Sequence, residues 1–286
     1  MSRKAALLLF AVTLGLRAAE SPDVDSQKAY ERAVAEAQKG GALAKPEVVS
    51  YVDLTKPFGT TSEWAVAFVV DDTPVLEGNF TLNDTGPLHL CFLKAHGLDC
   101  HDEIEQQSSH RIEDAPVPFE VLQTQIVRSP RDGIGPMLMV RTCGLTAFNG
   151  DCGVVTTLYR YDKARDQFAL IFENVTWRNQ NQETRFIEAG PLRGAMIAAT
   201  PGSNQPYTYW VDVYRQEESG AYARALRYRG KTRYADGNPL AVIDSEMPEI
   251  LRRLGKWKQG DPLPVPPQLP DRCTSIYLEG TVEWCR

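Results

Sequence analysis

Val154-Val-Thr-Thr-Leu-Tyr-Arg-Tyr-Asp-Lys-Ala-Arg-Asp-Gln-Phe-Ala-Leu-Ile-Phe-Glu-Asn174 is the stretch on which the fold turns. β-Formers fill Val154 to Tyr161 and again Phe168 to Asn174, and the polar run Lys163 to Gln167 separates them. Two such runs around a short polar break read as a hairpin. The same signature recurs 55 positions on: Leu158-Tyr-Arg-Tyr-Asp162 before Phe168-Ala-Leu170 is echoed by Val213-Tyr-Arg-Gln-Glu217 before Tyr222-Ala-Arg224. An apolar strand, Met137 to Val140 or Ala195 to Ala198, precedes each copy at a similar distance. The unit is therefore a strand, a loop and a hairpin, repeated.

Working outward, the chain from Val48 to about Tyr234 reads as short strands punctuated by Gly, Pro, Asn and Asp, as antiparallel pairing requires. The strands are Val48 to Leu54, Trp64 to Val70, Gly78 to Leu82, Leu88 to Phe92, Glu120 to Val127, Met137 to Thr142, Val154 to Tyr161, Phe168 to Asn174, Thr184 to Glu188, Ala195 to Thr200, Tyr207 to Tyr214 and Tyr222 to Tyr228. Four-stranded meanders of this length build propeller blades, but a closed propeller needs at least four of them. Two clear copies and one degraded one predict a mainly β fold of antiparallel meander sheets, an open propeller-like stack or a sandwich.

Two helices flank the strands. Asp25-Ser26 caps Gln27 to Lys39 and Gly40-Gly41 stops it; beyond Asp236-Gly237-Asn238-Pro239, Asp244 or Ser245 caps a helix that ends at Gly255. Pro248 is tolerable only in that helix's first turn. Glu246 and Glu249 complement its N-terminal dipole, Arg252, Arg253 and Lys256 suit its C-terminal end, and Ile250, Leu251 and Leu254 form its buried face. Asp261 to Pro270 is a proline-rich strap, read as a fixed tether. The organisation is thus a leader over 1–19, a helix and first β region over 20–115, a meander-repeat region over 116–240, and the second helix, strap and closing hairpin over 241–286.

Six cysteines fall into three local couples, Cys91 with Cys100, Cys143 with Cys152 and Cys273 with Cys285. In Cys273-Thr-Ser-Ile-Tyr-Leu-Glu-Gly-Thr-Val-Glu-Trp-Cys285 a three-residue loop, Leu278 to Gly280, pairs Tyr277 with Thr281 and so brings Cys273 opposite Cys285. The other two couples close loops. Three local disulfides are expected, each contributing about 2.5–3 kcal/mol in the chain-entropy view. Thiolate metal ligation is the weaker reading in an exported chain.

Export follows from the N-terminus: basic Arg3-Lys4, the apolar run Ala5 to Leu16 and small residues at Ala18-Ala19. That run is too short to span a bilayer as a helix, so a periplasmic or secreted protein with no membrane span is expected. Without the leader's Arg3, Lys4 and Arg17, 28 of the 31 basic residues oppose 37 acidic ones, a net charge of −9. Such a balance disfavours nucleic acid as a partner.

Chemistry is sparse. The four histidines, His89, His96, His101 and His110, lie together among carboxylates, a composition that suits a divalent transition metal, although the spacing matches no zinc motif. Neither a nucleophile elbow nor a phosphate loop nor a dinucleotide fingerprint is present. Asn79, Asn83 and Asn174 head glycosylation triplets. Aromatics at Trp177, Tyr207, Tyr209 and Trp210, with Arg215 and with Arg224 and Arg227 nearby, have the composition of binding hot spots. Alternation puts Tyr207 and Tyr209 on one strand face and Trp210 and Asp212 on the other. The expectation is an exported β-rich binding protein for a protein or carbohydrate of the cell envelope or extracellular space. The alternative is a periplasmic or secreted hydrolase, or a metal-binding protein using the His89 to His110 segment.

Overall fold

The computed structural model describes residues 28, 31, 32, 35, 38 and 39, then 46–71, 75–77, 80–83, 87–94, 97–100, 116–129, 131, 134–145, 152–177, 182–202, 206–234, 242–258, 260, 274–275 and 283–284. The leader, the strap, His96, His101, His110, Asn79, Cys273 and Cys285 lie outside them.

Strand pairing is antiparallel throughout and follows chain order. The first sheet holds β1 (Pro46–Asp53) and β2 (Trp64–Asp71), an inserted hairpin of β3 (Val75–Glu77) and β4 (Phe80–Asn83), then β5 (Leu88–Lys94) and β6 (Gly97–Cys100), in the order β1-β2-β5-β6 with β3-β4 as a separate pair. A one-turn helix, α1 (Thr55–Phe58), joins β1 to β2. The middle sheet is the meander β7 (Pro118–Arg128), β8 (Pro136–Leu145), β9 (Cys152–Asp162) and β10 (Gln167–Trp177). The last sheet is the meander β11 (Glu183–Phe186), β12 (Met196–Pro201), β13 (Tyr209–Gln216) and β14 (Tyr222–Arg229). The two sequence copies occupy equivalent places, since β9-β10 and β13-β14 are the third and fourth strands of their meanders.

Alternation then decides the layering. On β2 and β5, Val66, Phe68, Leu90 and Phe92 form a core with Leu138, Val140, Tyr159, Phe168 and Leu170 of the middle sheet. The opposite face of the middle sheet, Met137, Met139, Leu158, Ile171 and Phe172, packs on Phe186, Met196, Ala198, Tyr214 and Tyr222 of the last. The outer face of the last sheet, Ile197, Ala199, Tyr209, Val211 and Val213, lies under α2 (Val242–Arg253) through Val242, Ile243, Met247, Ile250 and Leu251. The fold is an open stack of three meander sheets, and the middle one is buried on both faces.

Several details depart from expectation. α2 begins at Val242, so Pro248 sits inside it rather than in its first turn. Burial of Val242 and Ile243 in the outer core extends the helix backward past the lost backbone bond. Glu246, read as complementing the helix dipole, is buried. The stop at Gly255 is as read: it takes a left-handed φ of 66°, and Lys256 N–H bonds Leu251 O at 2.8 Å. At the other end of the chain, all six described positions between 28 and 39 are helical, and all but half-buried Ala35 are exposed. β5 continues to Lys94 and returns as β6, so the segment after Phe92 is strand where the sequence suggested loop.

Of the three expected disulfides, Cys143–Cys152 is the one seen as a complete bond, with Cα atoms 5.6 Å apart across the β8-β9 hairpin. Cys91 faces Cys100 directly in the β5-β6 register and is disulfide-bonded. β15 (Thr274–Ser275) and β16 (Glu283–Trp284) pair Thr274 with Trp284, the register expected one step inside Cys273 and Cys285.

Candidate binding surface

β13 presents two unlike faces. Tyr209, 1% exposed, points with Val211 and Val213 into the core under α2, and Tyr207 packs at its margin. Trp210, Asp212 and Tyr214 alternate onto the other face. Tyr214 is covered by the middle sheet, its ring 5.2 Å from Phe172 in an edge-on contact. At the other end of the row Trp210 remains 36% exposed, one of three large apolar side chains so exposed among the described residues, with Val49 and Val117.

Arginines from β14 surround Trp210. The register sets Trp210 opposite Arg229, Asp212 opposite Arg227 and Tyr214 opposite Arg224. Arg224 and Arg227 are three residues apart, a spacing that would ordinarily send them to opposite faces. The irregularity at Val213/Tyr214 accommodates one extra residue on β14 and keeps both on the Trp210 side. Asp212, 6% exposed, ion-pairs with both at 3.7 Å. The Arg227 guanidinium stands 5.0 Å over the Trp210 ring. Arg229 donates Nε–H to Thr208 Oγ1 at 2.7 Å. Burial, and then the Asp212 charge, push the Tyr214 hydroxyl above its ordinary range, against the opposing pull of Arg224 and Arg227. Beyond the strand, Lys231 and Arg233 are also exposed, so five cations fall between 224 and 233 with no acidic residue among them.

The remaining expected surface residues do not join this group. Trp177 ends β10 on the middle sheet, half-buried, with a ring atom 3.5 Å from where a Cβ on Gly153 would sit. Arg215 is exposed but lies opposite Ala223, on the helix-side face. Asn174 is half-buried within β10 and donates its amide to Thr184 Oγ1 at 2.7 Å, so it is not on an exposed turn. Of the histidines, His89 is half-buried on β5 opposite Val69. Among the described residues no three metal-ligating side chains come together. Sequence reasoning passed over Arg229, Lys231 and Arg233, although an unbroken basic run in a chain of net charge −6 was signal enough.

Two further polar clusters tie layers together. Asp166, in the β9-β10 turn, accepts hydrogen bonds from Ser62 Oγ (2.8 Å), Trp64 Nε1 (2.9 Å) and Tyr161 OH (2.5 Å), and Lys94 ion-pairs with it. Burial alone would raise its pKa, yet the bonds from Lys94, Tyr161, Trp64 and Ser62 hold the carboxyl well below the usual range. The second cluster is centred on Glu246 of α2, which accepts from Tyr228 OH at 2.9 Å and Tyr234 OH at 3.4 Å. A Cβ on Gly230 would come within 2.9 Å of Glu246 Oε1, so this close approach requires glycine. Burial and the Glu246 charge push both phenols up.

Compared with known protein families, curated proteins and solved structures, the chain matches none.

Proposed function

We propose that this is an exported binding protein that recognises a protein or carbohydrate partner of the cell envelope or extracellular space through the Trp210 face of its last sheet. One observation carries the reading. A large indole is left partly in water on a sheet whose other aromatics are buried, and guanidiniums already oriented by Asp212 and Thr208 surround it. Trp and Arg concentrate binding energy where they are held rigid and desolvated by a partner. The Cys143–Cys152 bond supports an oxidising compartment, and no described helix is long and apolar enough to cross a membrane. A hydrolase reading draws less support from the described carboxylates: Asp166 and Glu249 are both held in the charged form. A general acid needs the opposite.

The test is comparative capture. Immobilised wild-type protein, Trp210→Ala and Arg227→Ala are exposed to envelope extract and culture fluid, and retained material is quantified by mass spectrometry and sugar analysis. One component retained by wild type and reduced about tenfold or more by both variants is expected, with unfolding midpoints unchanged. Identical retention by wild type and Trp210→Ala would refute the assignment.

A further inference from the structure

We infer that the ligand of the Trp210 face is a carboxylated polysaccharide, a chain of sugar rings bearing uronate-type carboxylates. The inference rests on the reading above and goes further by naming the ligand chemistry.

Charge gives the sign. Arg224, Arg227 and Arg229 share the Trp210 face and exposed Lys231 and Arg233 follow them in sequence, on a protein whose net charge is −6; one buried carboxylate, Asp212, offsets part of this positive charge. An anion is attracted to these cations and repelled by most of the remaining surface. Geometry narrows the anion. Arg227 is held by Asp212 and the Trp210 ring, Arg224 by Asp212, and Arg229 by Thr208. Guanidiniums held in fixed orientations suit planar carboxylates that accept two parallel hydrogen bonds, whereas a diffuse anion needs only point charges. Along a strand, side chains two residues apart on one face are separated by about 6.8 Å. Arg227 and Arg229 therefore offer spaced sites for successive acidic units.

The flat indole decides between macromolecule classes. An acidic peptide could add to β14, which is the edge of its sheet. That edge carries the Val213/Tyr214 irregularity and a row of cations, the features that prevent strand addition. Among the described residues of the last sheet, Trp210 is the one exposed large apolar side chain a peptide could anchor on. A sugar ring needs no strand partner: it packs against the part of the indole left exposed beside the Arg227 guanidinium, and its carboxylate reaches that arginine.

Sodium polygalacturonate is the probe, titrated calorimetrically into wild type, Trp210→Ala, Arg227→Lys and Arg215→Ala. Fully methyl-esterified polygalacturonate and poly-glutamate serve as comparisons. Wild type is expected to bind polygalacturonate at least tenfold tighter than either comparison. Trp210→Ala and Arg227→Lys should each lose about tenfold, the latter although charge is kept, and Arg215→Ala should lose nothing. Equal binding of poly-glutamate, or indifference to Arg227→Lys, would reduce the face to a generic polyanion strip and overturn the inference. Preference for the esterified polymer would overturn the carboxylate and leave Trp210 as a recognition residue. No binding of any polymer, alongside a captured protein lost in Trp210→Ala, would overturn the inference and leave the function standing. Failure of both titration and capture would remove both.

Discussion

Asp166 shows how much one turn residue can organise. It takes a left-handed φ of 49°, the one described non-glycine residue to do so, and this conformation aims its carboxylate from the middle sheet onto Ser62, Trp64 and Lys94 of the first. Asparagine tolerates the same backbone, so Asp166→Asn isolates the charge. The substitution should lower stability by about 1–2 kcal/mol, a figure reduced for partial solvent access, as read from urea denaturation. The pH dependence has a definite sign. The folded-state pKa lies below the ordinary 3.8, so on acidification the unfolded chain takes up the proton first and stability is lost as pH falls below about 4. Glu249 acts in the same direction: the bond from Arg252, together with that from Arg253 and the charges of both, outweighs the opposing effect of burial and holds it down to about 2 from 4.5. Urea midpoints measured from pH 6 to pH 3 should therefore fall for wild type and fall less for Asp166→Asn; equal slopes would show that the cluster is already solvated. The cluster was not legible in sequence, because Lys94, Trp64 and Ser62 lie 72, 102 and 104 residues from Asp166 and only Tyr161 is near it in the chain. Trp210 was legible as a face assignment, since alternation alone separates it from Tyr209. Its exposure was not, because that depends on where the middle sheet stops covering the row.

At the scale of elements, the attachment of α2 rests on a buried carboxylate as well as on an apolar face. Sequence placed Ile250 and Leu251 correctly in the core and read Glu246 as complementing the helix dipole; its burial was not legible, because the phenols that receive it come from β14 and the segment after it. Tyr228→Phe removes the shorter of the two bonds to Glu246 and should cost about 1–3 kcal/mol, with amide exchange in Val242–Arg253 accelerated more than in β13. Exchange rising equally in both would mean that the helix does not open as a separate unit. The β8-β9 hairpin offers a parallel test. Replacing Cys143 and Cys152 together by Ser should cost about 2–3 kcal/mol by equilibrium denaturation, whereas a loss below about 0.5 kcal/mol would mean that the strands hold the hairpin unaided. The strand content was readable because polar breaks punctuate it. The short β3 and β6 were missed because three or four residues carry too little alternation to separate strand from loop.

For the molecule as a whole, the repeat was the most informative reading, since two hairpin copies already implied meanders stacked face to face. What the repeat could not supply was the sharing of the middle sheet between two cores. Phe92 belongs to one and Ile171 to the other, both essentially inaccessible to solvent. Phe92→Ala and Ile171→Ala should each cost about 2–5 kcal/mol and lower the same single calorimetric transition. Two transitions, one responsive to each substitution, would instead show β regions that melt independently.

Chain-order pairing in every sheet also bears on how the protein matures. No strand must wait for a distant partner, so each meander can zip up from a contiguous stretch of polypeptide soon after that stretch emerges. A chain emerging N-terminus first would then assemble layer upon layer behind its leading end. The half-finished intermediate would expose one sticky sheet surface, which the next meander to arrive would cover.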